Sequence, residues 1–331
     1  MKVFHYSMHE GCASDIKNLL KKYDVDLTTI VPKERPHEKY IVTSERAECM
    51  WDEYKDTFLS SDAIIFSDTT PFSRCVLQNL DLLPQSIKVI LWITNRFNYA
   101  IESDRSYYEL LDRVKNDNRV YFLFSNRFER VYFSGFIALP NDKQISFTPY
   151  GKRNKDDFNM KNQKNHGGKL FVMSYQNEKE FYPLYDTLKN LGIDFYHKKE
   201  WIPKEEYCGP YDIETCSAVL HIPYAWGTVA LWEYMALGKT FILPSLKWLD
   251  NAYKERYLFF QTHKSIDAIS TFSDWYCKDN QDLFVYFDDI EQLSDILNDT
   301  DLLKEKGMKC FKRVQENNLQ NHAIVENILD L

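Results

Sequence analysis

The chain has 331 residues, a formal net charge of −8, 44% hydrophobic residues and 27% charged residues. This length and composition suit two domains with hydrophobic cores, and the acidic balance argues against nucleic-acid binding, which needs a basic surface. The seven cysteines form no Cys-x-x-Cys pair, which predicts reduced thiols, no zinc site and a cytoplasmic protein. We expect no secretory signal and no membrane span, since no apolar run reaches roughly 18 residues; a peripheral membrane contact stays open.

Apolar strands alternate with amphipathic helices along the first half of the chain. The predicted strands are 2–8, 26–32, 62–68, 87–93, 119–125 and 145–151, and the predicted helices are 14–22, 45–58, 72–79, 107–115 and 127–135. Apolar strands separated by helices are typical of a parallel sheet that is covered on both faces. Residues 1–150 are therefore predicted to form one Rossmann-like domain.

A polar, charged stretch at 151–168 (GKRNKDDFNMKNQKNHGG) is predicted to be a linker. A second alternating series follows it, with strands at 169–175, 194–198, 218–223, 240–244 and 284–287. This series predicts a second Rossmann-like domain at 169–312, followed by a helix at 313–331 that packs back on the first domain. The predicted fold class is α/β, with two doubly wound parallel-sheet domains that face each other across a cleft.

The stretch 219–244, VLHIPYAWGTVALWEYMALGKTFILP, is the most informative part of the sequence. Its pattern predicts a buried strand, a tight turn, a helix capped by Thr228 and ended by Gly238, and a second strand. The helix is apolar except for Glu233, and a buried carboxylate needs hydrogen-bond partners. The helix start at Gly227, Thr228 and Val229 offers unpaired N–H groups and a positive dipole end, which suit a phosphate.

This stretch resembles the donor-binding core of GT-B-fold glycosyltransferases, above all the family-four-like group. Residues 233–242, EYMALGKTFI, resemble the second half of the group's pattern, in which a helical Glu is followed by A-x-A-x-G-x-P-V-I. The resemblance implies that Glu233 binds the hydroxyl groups of the nucleotide ribose. The first half differs, because Ala225 stands where the group has a Glu that touches the donor sugar.

Other segments resemble GT-B motifs in the same order along the chain. The loop 8–13 resembles the glycine-containing acceptor loop, and Asn95 and Arg96 stand where the group has His and Asp at the end of a strand. Four further strand-end or pocket motifs fall at 124–127, 145–151, 169–179 and 201–207. The resemblance thus covers nearly the whole chain.

The resemblance also suggests residues for the donor side. Lys179 matches the lysine that neutralises the donor diphosphate, whereas Ser174 replaces its partner arginine, and Lys152 and Arg153 are candidate substitutes. The remaining candidates either line the donor pocket or serve as packing residues: Tyr224 and Trp226 beside the sugar, and His197 and Trp201 beside the base. His221 lies in a predicted strand, where a hydrogen-bonded core histidine is the default reading.

On the acceptor side, His9 follows the first strand and resembles the general base of inverting GT-B enzymes, a role that suits an ordinary histidine pKa near 6.5. Asp68, at the end of another strand, is the candidate that orients it, and Glu10 is an alternative base. Arg96 and Arg127 are candidates for binding an anionic acceptor or the diphosphate. Structural alternatives stay open: His9 as a surface-loop histidine, Asp68 as a turn cap, and the two arginines as partners in salt bridges between loops.

The expected function is a metal-independent glycosyltransferase that moves a sugar from a UDP- or GDP-sugar, acting as co-substrate, to a hydroxyl group of a glycan or small acceptor. No other cofactor is expected, since the sequence lacks the Gly-x-Gly-x-x-Gly and P-loop motifs. Two alternatives stay open: a nucleotide-sugar epimerase of similar fold, and a degenerate module that binds a nucleotide sugar or a protein without catalysis.

Overall fold

The computed structural model describes residues 1–33, 37–173, 182–197, 208–255, 260 and 265–331. They form two compact units, Met1–Tyr150 with Asn318–Leu331, and Gly151–Asn317. Residues 151–168, predicted as a linker, belong to the second unit. Each unit is built on its own parallel sheet.

The first unit contains a six-stranded parallel sheet in the order β2-β1-β3-β4-β5-β6. Its strands are β1 (Lys2–Ser7), β2 (Asp26–Ile30), β3 (Ala63–Ser67), β4 (Lys88–Ile93), β5 (Val120–Phe124) and β6 (Gln144–Ser146). Every residue of β3 is buried, as expected for a central strand with helices on both faces.

The helices of the first unit are α1 (Glu10–Leu20), α2 (Ser44–Leu59), α3 (Arg74–Gln78), α4 (Arg105–Val114) and α5 (Arg127–Ser134). Polar side chains start most of them: Thr43, Asp104 and Asn126 each accept a backbone N–H of the helix that follows. The predicted start of α1 at residue 14 was wrong. The helix begins at Glu10 because the His9 side chain caps it by accepting the N–H of Cys12.

The second unit contains a five-stranded parallel sheet in the order β11-β10-β9-β7-β8. Its strands are β7 (Leu170–Val172), β8 (Phe195–His197), β9 (Val219–Leu220), β10 (Phe241–Pro244) and β11 (Val285–Phe287). The helices are α6 (Leu184–Asn190), α7 (Val229–Ala236), α8 (Leu246–Lys254), α9 (Ile266–Phe272), α10 (Leu293–Asn298) and α11 (Thr300–Leu329).

The strand order reverses once in each sheet, between β1 and β3 in the first and between β7 and β9 in the second. In doubly wound folds ligands bind beyond the carboxyl ends of the strands at this point of reversal. The loop that carries His9 follows β1, and the loop that carries Asp68 follows β3. The loop that leads to Glu233 follows β9. The topology therefore places these candidate residues at the edges where such folds bind ligands.

The helix α11 contributes its last part, from Asn318 onward, to the first unit. There the amide groups of Asn318 and Asn321 donate to the carbonyl groups of Tyr150 and Thr148, at 3.0 and 2.8 Å. His322 lies between the hydroxyl groups of Tyr23 and Tyr150, at 3.1 and 3.4 Å. The helix α11 has 30 residues, but among the described residues neither it nor any other helix is both long enough and apolar enough to cross a membrane.

Gly151 is the residue at which the chain enters the second unit, and it lies directly against α7. Its φ is +68°, and a Cβ placed on it would stand 2.5 Å from the carbonyl oxygen and 2.7 Å from the carbonyl carbon of Trp232. Only glycine fits both the left-handed conformation and this close approach. Residues 151–153 therefore run in contact with the helix that carries Glu233.

We predict that Gly151→Ala strongly lowers the free energy of unfolding. The left-handed conformation alone costs a residue with a Cβ about 1–2 kcal/mol, and the clash with the Trp232 carbonyl adds about 1–3 kcal/mol. Gly192→Ala is the matched control, because Gly192 also has a positive φ but no atom within 4 Å of an added Cβ. Equal destabilisation of both variants in urea unfolding would contradict the close approach.

Candidate functional site

The helix α7 begins and ends where the sequence predicts. The Thr228 hydroxyl caps it by accepting the N–H of Leu231 at 3.1 Å, and Gly238 ends it with a φ of +69°. Both predictions are confirmed. The cap leaves the N–H groups of Val229 and Ala230 without an acceptor among the described residues. These two groups are the donors that an anion at the helix start would meet.

A carboxylate that the sequence analysis did not single out lies beside this helix start. Asp274 is 8% exposed, and a Cβ added to Gly227 would clash with its Oδ2. A carboxylate near a helix N-terminus is favourable by itself. It is unfavourable for a phosphate at the same place, because two negative charges would then lie close together.

The turn before α7 is held by the segment 273–275. The carbonyl of Trp226 accepts the Asp274 backbone N–H at 2.7 Å and the Ser273 hydroxyl at 3.1 Å. The Trp275 indole N–H donates to the carbonyl of Ala225 at 3.0 Å. These bonds join positions some 47 residues apart in the chain. No local sequence pattern indicates such a pairing, which is why Asp274 was missed.

Glu233 is buried and paired with Arg153. The Arg153 guanidinium donates to Glu233 Oε1 through Nε, at 2.9 Å, and through Nη2. The side chains of Arg153 and Glu233 are only 2% and 11% exposed. The other carboxylate oxygen, Oε2, has no donor among the described residues. Arg153, suggested from the sequence as a phosphate-binding substitute, instead binds a carboxylate here.

Because Glu233 is paired with Arg153, a substitution at position 233 can change the stability of the protein as well as its affinity for a nucleotide. An alanine would remove the carboxylate that pairs with the buried Arg153 guanidinium, and breaking a buried ion pair typically costs about 3–5 kcal/mol. The sequence alone suggested that Glu233→Ala would weaken nucleotide binding without unfolding the protein. We now expect that variant to be destabilised, so Glu233→Gln, which keeps an acceptor for Arg153, is the appropriate change.

The other donor-side candidates have packing contacts in the structure. The His197 ring stacks on Tyr185 with 4.3 Å between ring centres. Trp226 is 5% exposed and its ring packs edge-on against Phe260 at 5.1 Å. Tyr224 is half-buried and lies 5.8 Å from the His221 ring. Ser174, Lys179 and Trp201 lie outside the described residues.

His9 acts as a helix cap in this structure. Its Nδ1 accepts the N–H of Cys12 at 3.3 Å. His9 and Asp68 are both described, and no hydrogen bond joins them. A neutral imidazole has one acceptor nitrogen, so with Nδ1 accepting, Nε2 carries the proton and only donates. Acting as a base would therefore require the ring to leave Cys12.

Asp68 adopts an unusual backbone conformation directly after β3, with a φ of +66°. Its Oδ2 accepts the Thr69 hydroxyl at 3.0 Å. Left-handed residues other than glycine are uncommon and concentrate at functional sites. Glu10 is exposed at the first position of α1. Both carboxylates follow the strands that flank the reversal in the first sheet.

The acceptor-side arginines differ from each other. Arg96 lies 3.8 Å from Glu102 and packs over the Tyr99 ring, which matches the structural reading of a salt bridge between loops. Asn95 accepts the backbone N–H of Arg96 at 2.9 Å. Arg127 is exposed at the start of α5. Of the two, Arg127 is the more exposed.

Two buried histidines belong to the cores of the two sheets, as the sequence predicts for His221. The His221 Nδ1–H donates to the Met173 carbonyl, and its ring packs on Trp275 at 4.5 Å. Burial lowers the pKa of His221 to about 4 and that of His5 to about 3. Both rings are therefore neutral at pH 7. Among the described residues, no group of three His, Cys, Asp or Glu side chains is placed to hold a metal ion.

Comparison with known proteins finds similarity in structure. No protein-family model matches the chain, and no curated protein matches its sequence. The structure is similar to that of the glycosyltransferase SnogD from Streptomyces nogalater, with a TM-score of 0.53 at 10% identity over 99% of both chains. It is also similar to WaaG, a glycosyltransferase involved in lipopolysaccharide biosynthesis, with a TM-score of 0.51 at 9% identity over 98% of this chain and 99% of WaaG.

A third similar structure is the catalytic domain of starch synthase IV from Arabidopsis thaliana bound to ADP and acarbose, with a TM-score of 0.56 at 10% identity over 100% of both chains. Together with the two parallel sheets, these similarities show that the chain has the GT-B glycosyltransferase fold, made of two Rossmann-like α/β domains. The predicted fold class is confirmed to that extent. A fold alone does not determine the reaction.

We predict that stability falls as the pH drops below 6.5. Above that value unfolded histidines are neutral, so burying His5 and His221 has no protonation cost. Below it the unfolded chain binds protons that the folded chain does not, and the free energy of unfolding falls by up to about 1.4 kcal/mol per pH unit for each histidine. Urea unfolding at pH 6.5 and 5.0 measures this slope.

The variant His221→Phe provides the test, because it removes one of the two buried titrating rings. Between pH 6.5 and 5.0 its free energy of unfolding should change less steeply with pH than that of the wild type. The difference in slope should be about the contribution of one histidine. His9→Asn is the control: it changes an exposed ring and keeps a capping side chain. If His221→Phe and the wild type showed the same slope, the burial of a neutral His221 would be wrong.

Proposed function

We propose that this protein is a glycosyltransferase that uses a nucleoside diphosphate sugar as donor and a hydroxyl group of a glycan or small molecule as acceptor. The GT-B fold supports the class, and starch synthase IV, one of the similar structures, is bound to ADP. UDP-, GDP- and ADP-sugars are therefore the donors to test. The reaction breaks the bond between the anomeric carbon and the diphosphate oxygen and forms a glycosidic bond with the acceptor oxygen.

One observation carries the proposal: Arg153 fixes one oxygen of the Glu233 carboxylate, and the described part of the chain offers no donor to the other. A carboxylate held in place near a helix start suits a ribose diol attached to a diphosphate when, as among the described residues here, the first N–H groups of the helix have no acceptor. In this proposal Glu233 Oε2 accepts ribose hydroxyl groups, and the N–H groups of Val229 and Ala230 donate to the diphosphate.

On the acceptor side, we propose that the loops after β1 and β3 hold the acceptor hydroxyl group. Asp68 and Glu10 supply the carboxylates there, and His9 joins them as a base once its ring leaves Cys12. Deprotonating the acceptor as its oxygen attacks contributes typically 10²–10⁴-fold to such a reaction. Arg127, which is exposed at the start of α5, is the cation that we propose contacts an anionic acceptor.

A thermal-shift panel of UDP, GDP, ADP and their sugars, followed by calorimetry, identifies the donor. Glu233→Gln should weaken binding of that nucleotide about 10- to 100-fold, since a hydrogen bond to a charged group contributes about 1.5–3 kcal/mol. Glu305→Gln is the control, because Glu305 is an exposed, ion-paired glutamate on α11. Unchanged affinity in Glu233→Gln would refute the ribose role, and donor turnover without any acceptor would favour an epimerase.

The position of Asp274 gives a separate test of the diphosphate position. If the diphosphate binds at the start of α7, Asp274→Asn should bind the nucleoside diphosphate several-fold more tightly, because one of two neighbouring negative charges is removed. The affinity for the uncharged nucleoside should stay as in the wild type. Equal changes for nucleoside and nucleoside diphosphate would place the phosphates elsewhere.

A further inference from the structure

We propose that Arg153 is a positioning residue that fixes the Glu233 carboxylate so that only Oε2 is presented to the ribose, and that Arg153 thereby determines how strongly the site prefers ribose over deoxyribose. This inference rests on the proposed function. It adds a residue from the segment 151–168, whose sequence predicts a solvated linker, to the recognition of the nucleotide.

The hydrogen bonds of the pair are one-sided. The guanidinium contacts Glu233 through Nε and Nη2, and both of these contacts are with Oε1. A carboxylate oxygen has about two acceptor sites, so two donors saturate Oε1. Ribose hydroxyl groups that donate to Glu233 must therefore use Oε2, and the rotamer of Glu233 is set before any ligand arrives.

Stability alone does not account for an arginine at this position. Burying an ion pair removes two charges from water, and apolar residues of similar volume often give an equal or more stable protein. The backbone around Arg153 is also held by other contacts. The Tyr211 hydroxyl donates to the Arg153 carbonyl at 2.6 Å, and Gly151 packs on the Trp232 carbonyl.

The path of the chain explains how a residue next to the unit boundary reaches α7. Gly151 allows residues 151–153 to run against the helix, and the Tyr211 hydroxyl anchors the backbone at Arg153. The guanidinium then meets Glu233 with its side chain 2% exposed. A carboxylate that is fixed in advance loses less conformational entropy on binding and selects a ligand by geometry.

The experiment compares ribose preference, which a merely structural arginine would not change. The dissociation constants of UDP, GDP and ADP, and of their 2′-deoxy and 3′-deoxy counterparts, are measured by calorimetry for the wild type, Arg153→Lys and Arg153→Gln. The wild type should prefer the ribose form of the nucleotide that it binds. We expect that preference to fall at least threefold in Arg153→Lys and further in Arg153→Gln.

A purely structural role would weaken ribose and deoxyribose nucleotides by the same factor and leave their ratio as in the wild type. That result would overturn the inference while leaving the proposed function intact. A wild type that binds none of the nucleotides, or that binds ribose and deoxyribose forms equally, would overturn the proposed function and the inference together.

The double variant R153E/E233R covers the case in which the single variants fail to fold. It restores an opposite-charge pair between the same two positions but puts no carboxylate on α7. We expect it to fold, as monitored by circular dichroism and urea unfolding, and to show no ribose preference. A double variant with the wild-type preference would overturn the inference, because the preference would then not depend on Arg153 holding Glu233.

Discussion

The second unit depends on a buried pair of opposite charges between the segment after β6 and the helix α7. Water solvates a guanidinium and a carboxylate far better than a protein interior does, and burying the two groups as a pair offsets part of that cost. This constraint ties residues 151–153 to α7. It also makes Gly151 indispensable, since a side chain at that position would separate the segment from the helix by clashing with the Trp232 carbonyl.

Parallel strands bring the ends of many loops to one edge of a sheet, and both units use this property in the same way. In the first unit the pairing of Ser7 with Ser67 places the loops that begin with Met8 and Asp68 side by side. In the second unit the pairing of Val172 with Leu220 places Met173 and His221, the first residues after β7 and β9, side by side. Chemically diverse residues thus collect at two edges, although they are far apart in the sequence.

Much of the fold was predictable from the sequence, because the spacing of apolar residues along the chain indicates which residues are buried. Runs such as IKVILWI and DAIIFSD contain the strands β4 and β3, and Thr228 and Gly238 bound α7 as their local chemistry requires. The prediction was less accurate where a capping side chain was unexpected, as with His9 at the start of α1. It was also less informative for residues 151–168, whose polar composition gives no sign that Gly151 and Arg153 are buried.

The candidate site was less predictable than the fold, since its residues are brought together by long-range pairing. Glu233 was recognisable as an isolated carboxylate in an apolar helix. Arg153 was suggested as a phosphate-binding substitute but not as the partner of Glu233, and Asp274 was not suggested at all. Neither residue lies within a local pattern that includes Glu233. Hydrogen bonds such as those from Ser273 and Trp275 to the turn before α7 exist only in the folded chain.

The division of the first unit has a consequence for how the protein folds during its synthesis. Val325, Ile328 and Leu329 pack with the apolar side chains of α1 and of the central strands of the first sheet, among them Ile65 and Ile90. A ribosome makes residues 1–150 well before 318–331. Part of the apolar surface of the nascent first unit therefore stays exposed until those later residues leave the ribosome. A chaperone that binds this surface would protect the first unit from aggregation during that time.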